Sequence, residues 1–109
     1  MTSQKCPLKI YGYEISYNSI GIPEVTLKYK NKGTKIIKAF SVKIYCYNAY
    51  NEPLTPFGKS YYAGISDDEN LKPNETNDST WTMNLFDTTK KVKVKIYKVL
   101  FSDGTIWKG

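Results

Sequence analysis

Histidine and arginine are both absent from this chain of 109 residues, so all 16 of its basic side chains are lysines. Histidine is the commonest general base near neutral pH, and arginine supplies the planar fork that binds carboxylates, phosphates and guanine through paired hydrogen bonds. The sequence also contains no G-x-S-x-G motif and no glycine-rich phosphate loop. We therefore expect a protein that is not an enzyme and that does not recognise a specific nucleic-acid sequence.

Cysteine is scarce as well. Cys6 and Cys46 fit neither a metal-binding spacing nor a C-x-x-C motif, and a zinc site without histidine would need carboxylates as its remaining ligands. Cys46 falls on the apolar side of a predicted strand, where a thiol packs as a small hydrophobe and stays protonated. We expect two free thiols. The alternative is a disulfide, because both cysteines share the parity of the apolar residues around them.

One acidic run, Asp67-Asp68-Glu69-Asn70, is the only metal-like feature of the sequence. Oxygen ligands in a loop can hold calcium, but this run lacks the glycine and the ligand spacing of a calcium-binding loop. We interpret it as a solvated loop that balances nearby lysines, and we expect no metal and no cofactor.

Long apolar runs are missing too, since no stretch approaches the roughly 20 residues that span a bilayer. We therefore expect no membrane span. Residues 1–7 lack the apolar stretch of a signal peptide. Two localisations stay open: the cytoplasm, or an extracytoplasmic or cell-surface position if an export signal has been removed.

The sequence is instead rich in tyrosine, isoleucine, valine and threonine in alternating patterns, which favour β-strands. The alternation predicts seven strands, at Leu8–Tyr17, Glu24–Asn31, Ile36–Tyr50, Ser60–Ile65, Ser79–Leu85, Lys91–Phe101 and Thr105–Trp107. The apolar phase changes inside the first and sixth strands, which predicts β-bulges at Gly12 and near Tyr97. Phe86–Thr89 is interpreted as a single helical turn.

These patterns predict an all-β fold, an immunoglobulin-like antiparallel β-sandwich of about seven strands. We expect one domain over residues 8–109, preceded by a disordered or poorly ordered segment at 1–7. The inward-facing positions predict one core, formed by Val25, Leu27, Tyr29, Val42, Ile44, Trp81, Met83, Val92, Val94 and Ile96.

Two runs of lysines, at 28–43 and 90–98, contain no acidic residue. Tyr45 and Tyr47 alternate with the apolar face of their strand, so we expect them on an outer or half-covered surface. If both runs share one sheet face, that face resembles a groove for an anionic polymer. The alternative is that lysines at sheet edges discourage aggregation. The candidate binding surface comprises Lys28, Lys30, Lys43, Tyr45, Tyr47, Lys93 and Lys95.

Four segments of the chain are similar to motifs of a family of immunoglobulin-like domains of unknown function from Gram-positive surface proteins and lipoproteins, akin to the FxLYD-type accessory domains. The similar segments are the Asn-Ser-x-Gly-x-Pro-Glu-Val run at 18–31, the Tyr-Asn-Ala at 47–49, the turn at 71–76 before Trp81, and the Asp-Gly-Thr hairpin at 102–105. The resemblance implies an extracytoplasmic sandwich with no agreed activity. The chain departs from the family in showing no lipobox, zinc ribbon or membrane helix.

Two functions follow from these observations. The first is a non-enzymatic, surface-exposed spacer or interaction module with an unknown protein or cell-envelope partner. The second is a lysine-mediated binder of an anionic polymer, either nucleic acid or a cell-wall polyanion. Salt dependence separates them, because binding to a polyanion weakens steeply as counterions compete.

Overall fold

Alternation of apolar and polar side chains builds two sheets in the computed structural model, which describes residues 5–109. Seven strands run over these residues: β1 Leu8–Tyr17, β2 Pro23–Asn31, β3 Ile37–Tyr47, β4 Tyr62–Ser66, β5 Thr76–Thr82, β6 Lys91–Phe101 and β7 Ile106–Lys108. They form a three-stranded sheet in the order β1-β2-β5 and a four-stranded sheet in the order β4-β3-β6-β7. Every pairing is antiparallel. The predicted all-β sandwich is confirmed.

Both predicted β-bulges are present. The register of β1 against β2 shifts between Ile10 and Gly12. The register of β3 against β6 shifts where Ser41 pairs with Lys98 and Val42 pairs with Ile96, which leaves Tyr97 as the extra residue. Each bulge restores the apolar phase of its strand, so the residues on both sides of it continue to face the core.

Two strand predictions and the helical turn need correction. The third strand ends at Tyr47 rather than at residue 50, because the Asn48 side chain accepts the amide hydrogens of Tyr50 and Glu52 and turns the chain. The fifth strand lies three residues earlier than predicted, at Thr76–Thr82, since its bounds follow its pairing with β2, whereas the alternation of Trp81, Met83 and Leu85 runs past the end of the strand.

Residues 86–89 form successive turns and no helix, whereas a short 3₁₀ helix that was not predicted lies at Pro56–Gly58. Phe57, inside this short helix, has a φ of 51° and is 88% exposed. Neither the turns nor the 3₁₀ helix can be recognised from hydrophobic periodicity, because the backbone of a turn is set by local hydrogen bonds.

The core lies between the two sheets and confirms eight of the predicted core positions. Tyr29 and Phe40 meet edge to face with their ring centroids 4.9 Å apart, and the Phe40 ring in turn lies 6.2 Å from Trp81. Trp81 and Val94 are only half-buried, which corrects their predicted burial. The buried predicted residues are Val25, Leu27, Tyr29, Val42, Ile44, Met83, Val92 and Ile96.

Glu69 is half-buried and not solvated as predicted for the acidic loop, whereas Asp67 and Asp68 are exposed as expected. The Tyr29 hydroxyl donates to the Glu69 carboxylate at 2.7 Å, and the Ser66 hydroxyl donates to the same carboxylate. Burial, and then this hydrogen bond, raise the pKa of Tyr29, so its hydroxyl stays a neutral donor. Glu69 therefore anchors the loop between β4 and β5 to the core.

The predicted disordered segment at 1–7 lies partly outside the described residues, which begin at residue 5. Within the described part, the Pro7 carbonyl accepts a hydrogen bond from the Lys32 amide at 2.7 Å. Cys6 is half-buried and packs against the core. The chain thus enters β1 beside the turn that follows β2.

Candidate functional site

The outer side of the four-stranded sheet gathers lysines and tyrosines, and we name it the lysine–tyrosine face. It is defined by Lys43, Tyr45, Tyr47, Tyr61, Lys91, Lys93, Lys95, Tyr97 and Lys98. Its β3 and β6 members alternate with buried residues that point into the core, and therefore point outward. The tyrosines are half-buried, as predicted for Tyr45 and Tyr47.

The strand register sets the lysines of β6 beside the tyrosines and lysine of β3. Tyr45 pairs with Lys93, and Lys43 pairs with Lys95. Residues directly opposite each other in an antiparallel pair have Cβ atoms about 5 Å apart, so these side chains form a continuous surface. The sheet therefore brings five of the seven predicted site residues together.

Aromatic rings hold two of these lysines in place. The Lys43 ammonium lies 4.9 Å from the centroid of Tyr61 and 5.1 Å from that of Tyr97, which places the charge between two rings. The Lys93 ammonium lies 5.5 Å from the centroid of Tyr47. Each such contact contributes about 0.5–1 kcal/mol at an exposed site and restricts the lysine to a defined position.

Charge is divided unequally between the two sheets. The strands of the four-stranded sheet contain seven lysines and no Asp or Glu, whereas those of the three-stranded sheet contain three lysines and three acidic residues. Among residues 5–109, the ion pairs join Lys28 to Glu14 and Lys35 to Asp103, so none involves the lysine–tyrosine face. The net charge of +6 is therefore concentrated on one side of the molecule.

Lys28 and Lys30 are the two predicted site residues that the structure does not bring to this face. They lie on β2 in the three-stranded sheet, and their positions alternate with the buried Leu27 and Tyr29. Their side chains point outward on the other side of the sandwich, and the Lys28 ammonium lies 3.1 Å from the Glu14 carboxylate. The predicted surface is thus divided between two faces, since the two lysine runs belong to different sheets.

Four members of the face were not among the predicted site residues: Lys91 and Lys98, which belong to the lysine run at 90–98, and Tyr61 and Tyr97, for which no binding role was predicted. Tyr61 precedes a short edge strand, and its ring lies 5.6 Å from that of Tyr45. Tyr97 is the extra residue of the β6 bulge, so its direction does not follow the alternation of the strand. The phase change near Tyr97 was the available signal, but the phase does not say which bulge residue points outward.

A cleft of about 610 Å³ adjoins the lysine–tyrosine face at the edge of the sandwich beside β4. Its lining includes Lys59, Tyr61, Tyr62, Leu85 and Phe86. A cleft of this volume with a mainly apolar lining can accommodate a small organic group. Tyr61 is the residue that the cleft and the face share.

The two thiols are free. Cys46 is buried and Cys6 half-buried, and burial raises the pKa of both, so each stays protonated at neutral pH. Within the described range 5–109, no three His, Cys, Asp or Glu side chains are grouped so that they could hold a metal ion. No helix over these residues is long and apolar enough to cross a membrane.

Comparison with known proteins gives a family and a fold. The profile of a family of unknown function, DUF5780, matches residues 24–109. The chain is similar in structure to a hypothetical protein from Peptoclostridium difficile 630, solved by X-ray crystallography at 1.85 Å. The TM-score is 0.75 at 12% sequence identity, and the match covers 98% of this chain and 88% of that one. No curated protein matches.

Proposed function

The chain belongs to DUF5780, a family of unknown function, and we propose that it is a non-enzymatic binding module that engages a negatively charged partner through its lysine–tyrosine face. The observation that carries the proposal is the division of charge between the sheets, with seven lysines and no acid in the strands of the four-stranded sheet. A solvated surface that only keeps a protein soluble mixes charges of both signs, as the three-stranded sheet does.

Pre-organisation supports a binding role for this face. The tyrosines restrict Lys43 and Lys93 before any partner arrives, so less side-chain entropy is lost on binding. A lysine free in solvent gives up about 1.5–2 kcal/mol of rotamer entropy when it is fixed.

The non-enzymatic part of the proposal is supported by the chemistry of the available groups. The chain has no histidine, and burial keeps both thiols in their unreactive protonated form. We further propose that the module acts at the cell surface, as the resemblance to the Gram-positive surface family implies. Fractionation of the native host with an antibody against the domain tests this, and recovery in the cytoplasmic fraction alone would contradict it.

Retention on a heparin column tests the proposed face, because heparin is a densely charged polyanion. We expect the wild type to be retained and to elute only at raised salt. The triple variant Lys43→Gln/Lys93→Gln/Lys95→Gln removes three charges from the face and should elute much earlier. The matched control is Lys9→Gln/Lys28→Gln/Lys30→Gln, which removes three charges from the opposite sheet.

The control variant should elute close to the wild type, although both variants have the same net charge. Equal shifts of the two variants would mean that only net charge matters, and absence of wild-type retention would contradict an anionic partner. Circular dichroism and thermal melting establish that both variants fold, which the exposed or half-buried positions of the six lysines favour.

A further inference from the structure

The lysines of β6 form a straight row that continues onto β7. Lys91, Lys93 and Lys95 occupy every second position, so the Cα atoms of adjacent lysines are about 6.6 Å apart. After the bulge, Lys98 pairs with Ser41 on one side and with Lys108 of β7 on the other. The row is on the order of 20 Å long. An extended chain that carries one negative charge per repeat can follow such a row.

The tyrosines beside this row are not free stacking platforms. Lys43 covers ring faces of Tyr61 and Tyr97, and Lys93 covers Tyr47. Proteins that bind single-stranded nucleic acids stack successive bases on open aromatic faces. Here three of the four rings already hold an ammonium group, and the fourth, Tyr45, packs against Tyr61 with the ring centroids 5.6 Å apart. A ligand would therefore meet the charges before the rings.

The use of lysine alone, without arginine, also bears on which class of anionic ligand the face binds. Arginine binds carboxylates and phosphates alike through two parallel hydrogen bonds, and this chain has no arginine. Lysine acts as a point charge with rotatable donors, and it pairs well with a phosphate, which offers oxygens in several directions. A row of such point charges therefore suits tetrahedral phosphates, which present oxygens in several directions, better than the planar carboxylates of an acidic peptide.

Resting on the proposed function, we propose that the lysine–tyrosine face binds a linear phosphodiester polymer lengthwise along β6, through its phosphates alone and without any contribution from aromatic bases. Lys91, Lys93, Lys95 and Lys98 contact successive phosphates, and Lys43 adds a charge from β3. Asp67, which borders the far end of the face beside Lys98, limits the ligand there.

Fluorescence anisotropy with three labelled probes tests this. The probes are an abasic deoxyribose-phosphate chain of about 12 units, an oligo(dT) of the same length and an oligo-glutamate of the same charge, all longer than the lysine row. We expect the abasic chain and oligo(dT) to bind within about twofold of each other, and oligo-glutamate to bind at least about tenfold more weakly.

Salt titration measures the number of contacts. Four phosphate contacts predict that log K falls by about 3 for each tenfold rise in salt, since each contact on a single strand contributes about 0.7. Lys93→Gln/Lys95→Gln should reduce this slope by about 1.4, whereas the control Lys28→Gln/Lys30→Gln on the opposite sheet should leave it unchanged. Unchanged slopes in both variants would overturn the proposed path along β6.

Oligo(dT) that binds more than about tenfold tighter than the abasic chain would overturn the proposal, because the bases would then contribute as in nucleic-acid binding. Tighter binding of oligo-glutamate would overturn it in favour of an acidic protein. If no phosphodiester binds while the heparin column still distinguishes the two triple variants, this inference fails and the proposed function stands. Loss of that distinction would reject the proposed function itself.

Discussion

Replacement of Gly64 by alanine tests how closely the two sheets pack. Gly64 is buried on β4, opposite Val42 of β3. Its φ is not positive, so its backbone alone would accept alanine. Gly→Ala at such a position stabilises a protein by about 0.4–1 kcal/mol, because the unfolded chain loses freedom. Backbone considerations therefore predict a gain in stability.

Packing predicts the opposite. A Cβ at Gly64 would lie 2.9 Å from Cγ2 of Val42 and 3.1 Å from both Cε2 and Nε1 of Trp81. Val42 is fully buried, and the Trp81 indole donates to the Ile65 carbonyl at 3.2 Å, so neither side chain can move freely. Overpacking of this kind costs about 1–3 kcal/mol. After the backbone gain, we expect Gly64→Ala to lower the free energy of unfolding by about 1–2 kcal/mol.

Urea denaturation followed by circular dichroism measures this loss. Gly12→Ala is the matched control, because the nearest heavy atom to its added Cβ is the Lys28 Cδ at 3.9 Å, an ordinary contact. We expect its free energy of unfolding to rise by about 0.4–1 kcal/mol, which is the backbone gain without the clash. If Gly64→Ala proves as stable as the wild type or the control, the close approach of β4 to Trp81 is wrong.

Three further predictions concern the core, the thiols and one turn. Ile44→Ala should lower the free energy of unfolding by about 2–5 kcal/mol because Ile44 is fully buried. Val94→Ala should lower it by about 1 kcal/mol because Val94 is half-buried. Equal losses in urea denaturation would contradict this difference. Thiol titration of the denatured protein without reductant should detect both Cys6 and Cys46, and detection of neither would mean a disulfide. The Thr105 hydroxyl and amide lower the pKa of Asp103 to about 2, so its stabilisation is complete above pH of about 4 and is lost as the pH falls toward 2. Asp103→Asn should therefore melt at a lower temperature than the wild type at pH 6, with a difference that shrinks steeply between about pH 4 and pH 2; a difference as large at pH 2 as at pH 6 would refute the assignment.

The bounds of β1 and β6 agree with the sequence prediction at both ends. Each strand is long and alternates strongly, and each has one face against the core, so its pattern repeats over many residues. The predicted bounds of β5 were displaced because the alternation of Trp81, Met83 and Leu85 continues past Thr82, where the strand ends, while residues 76–78 contain no apolar side chain. Its position follows from the hydrogen bonds to β2, and a pairing partner distant in sequence leaves no local signal.

The environments of two single side chains, Glu69 and Trp81, were also not predictable from the local sequence. An acidic loop is ordinarily solvated, and nothing near Glu69 in the sequence indicates that it receives the hydroxyl of Tyr29, which is 40 residues away. Trp81 was predicted to be buried from its parity on β5. Trp81 lies on an edge strand of the sandwich, where the parity of a residue predicts the direction of its side chain but not how deeply the side chain is buried.

Alternation along the chain is sufficient to predict seven strands with one core. It also predicts which side chains of β3 and β6 face outward, except Tyr97 at the bulge, because a side chain's direction along a strand repeats every two residues. The separation of Lys28 and Lys30, on one side of the sandwich, from Lys43, Lys93 and Lys95, on the other, is seen only once the strands are assembled into sheets. The sheet that a strand joins depends on hydrogen bonds to partners far along the chain, and these partners leave the strand's own alternation unchanged.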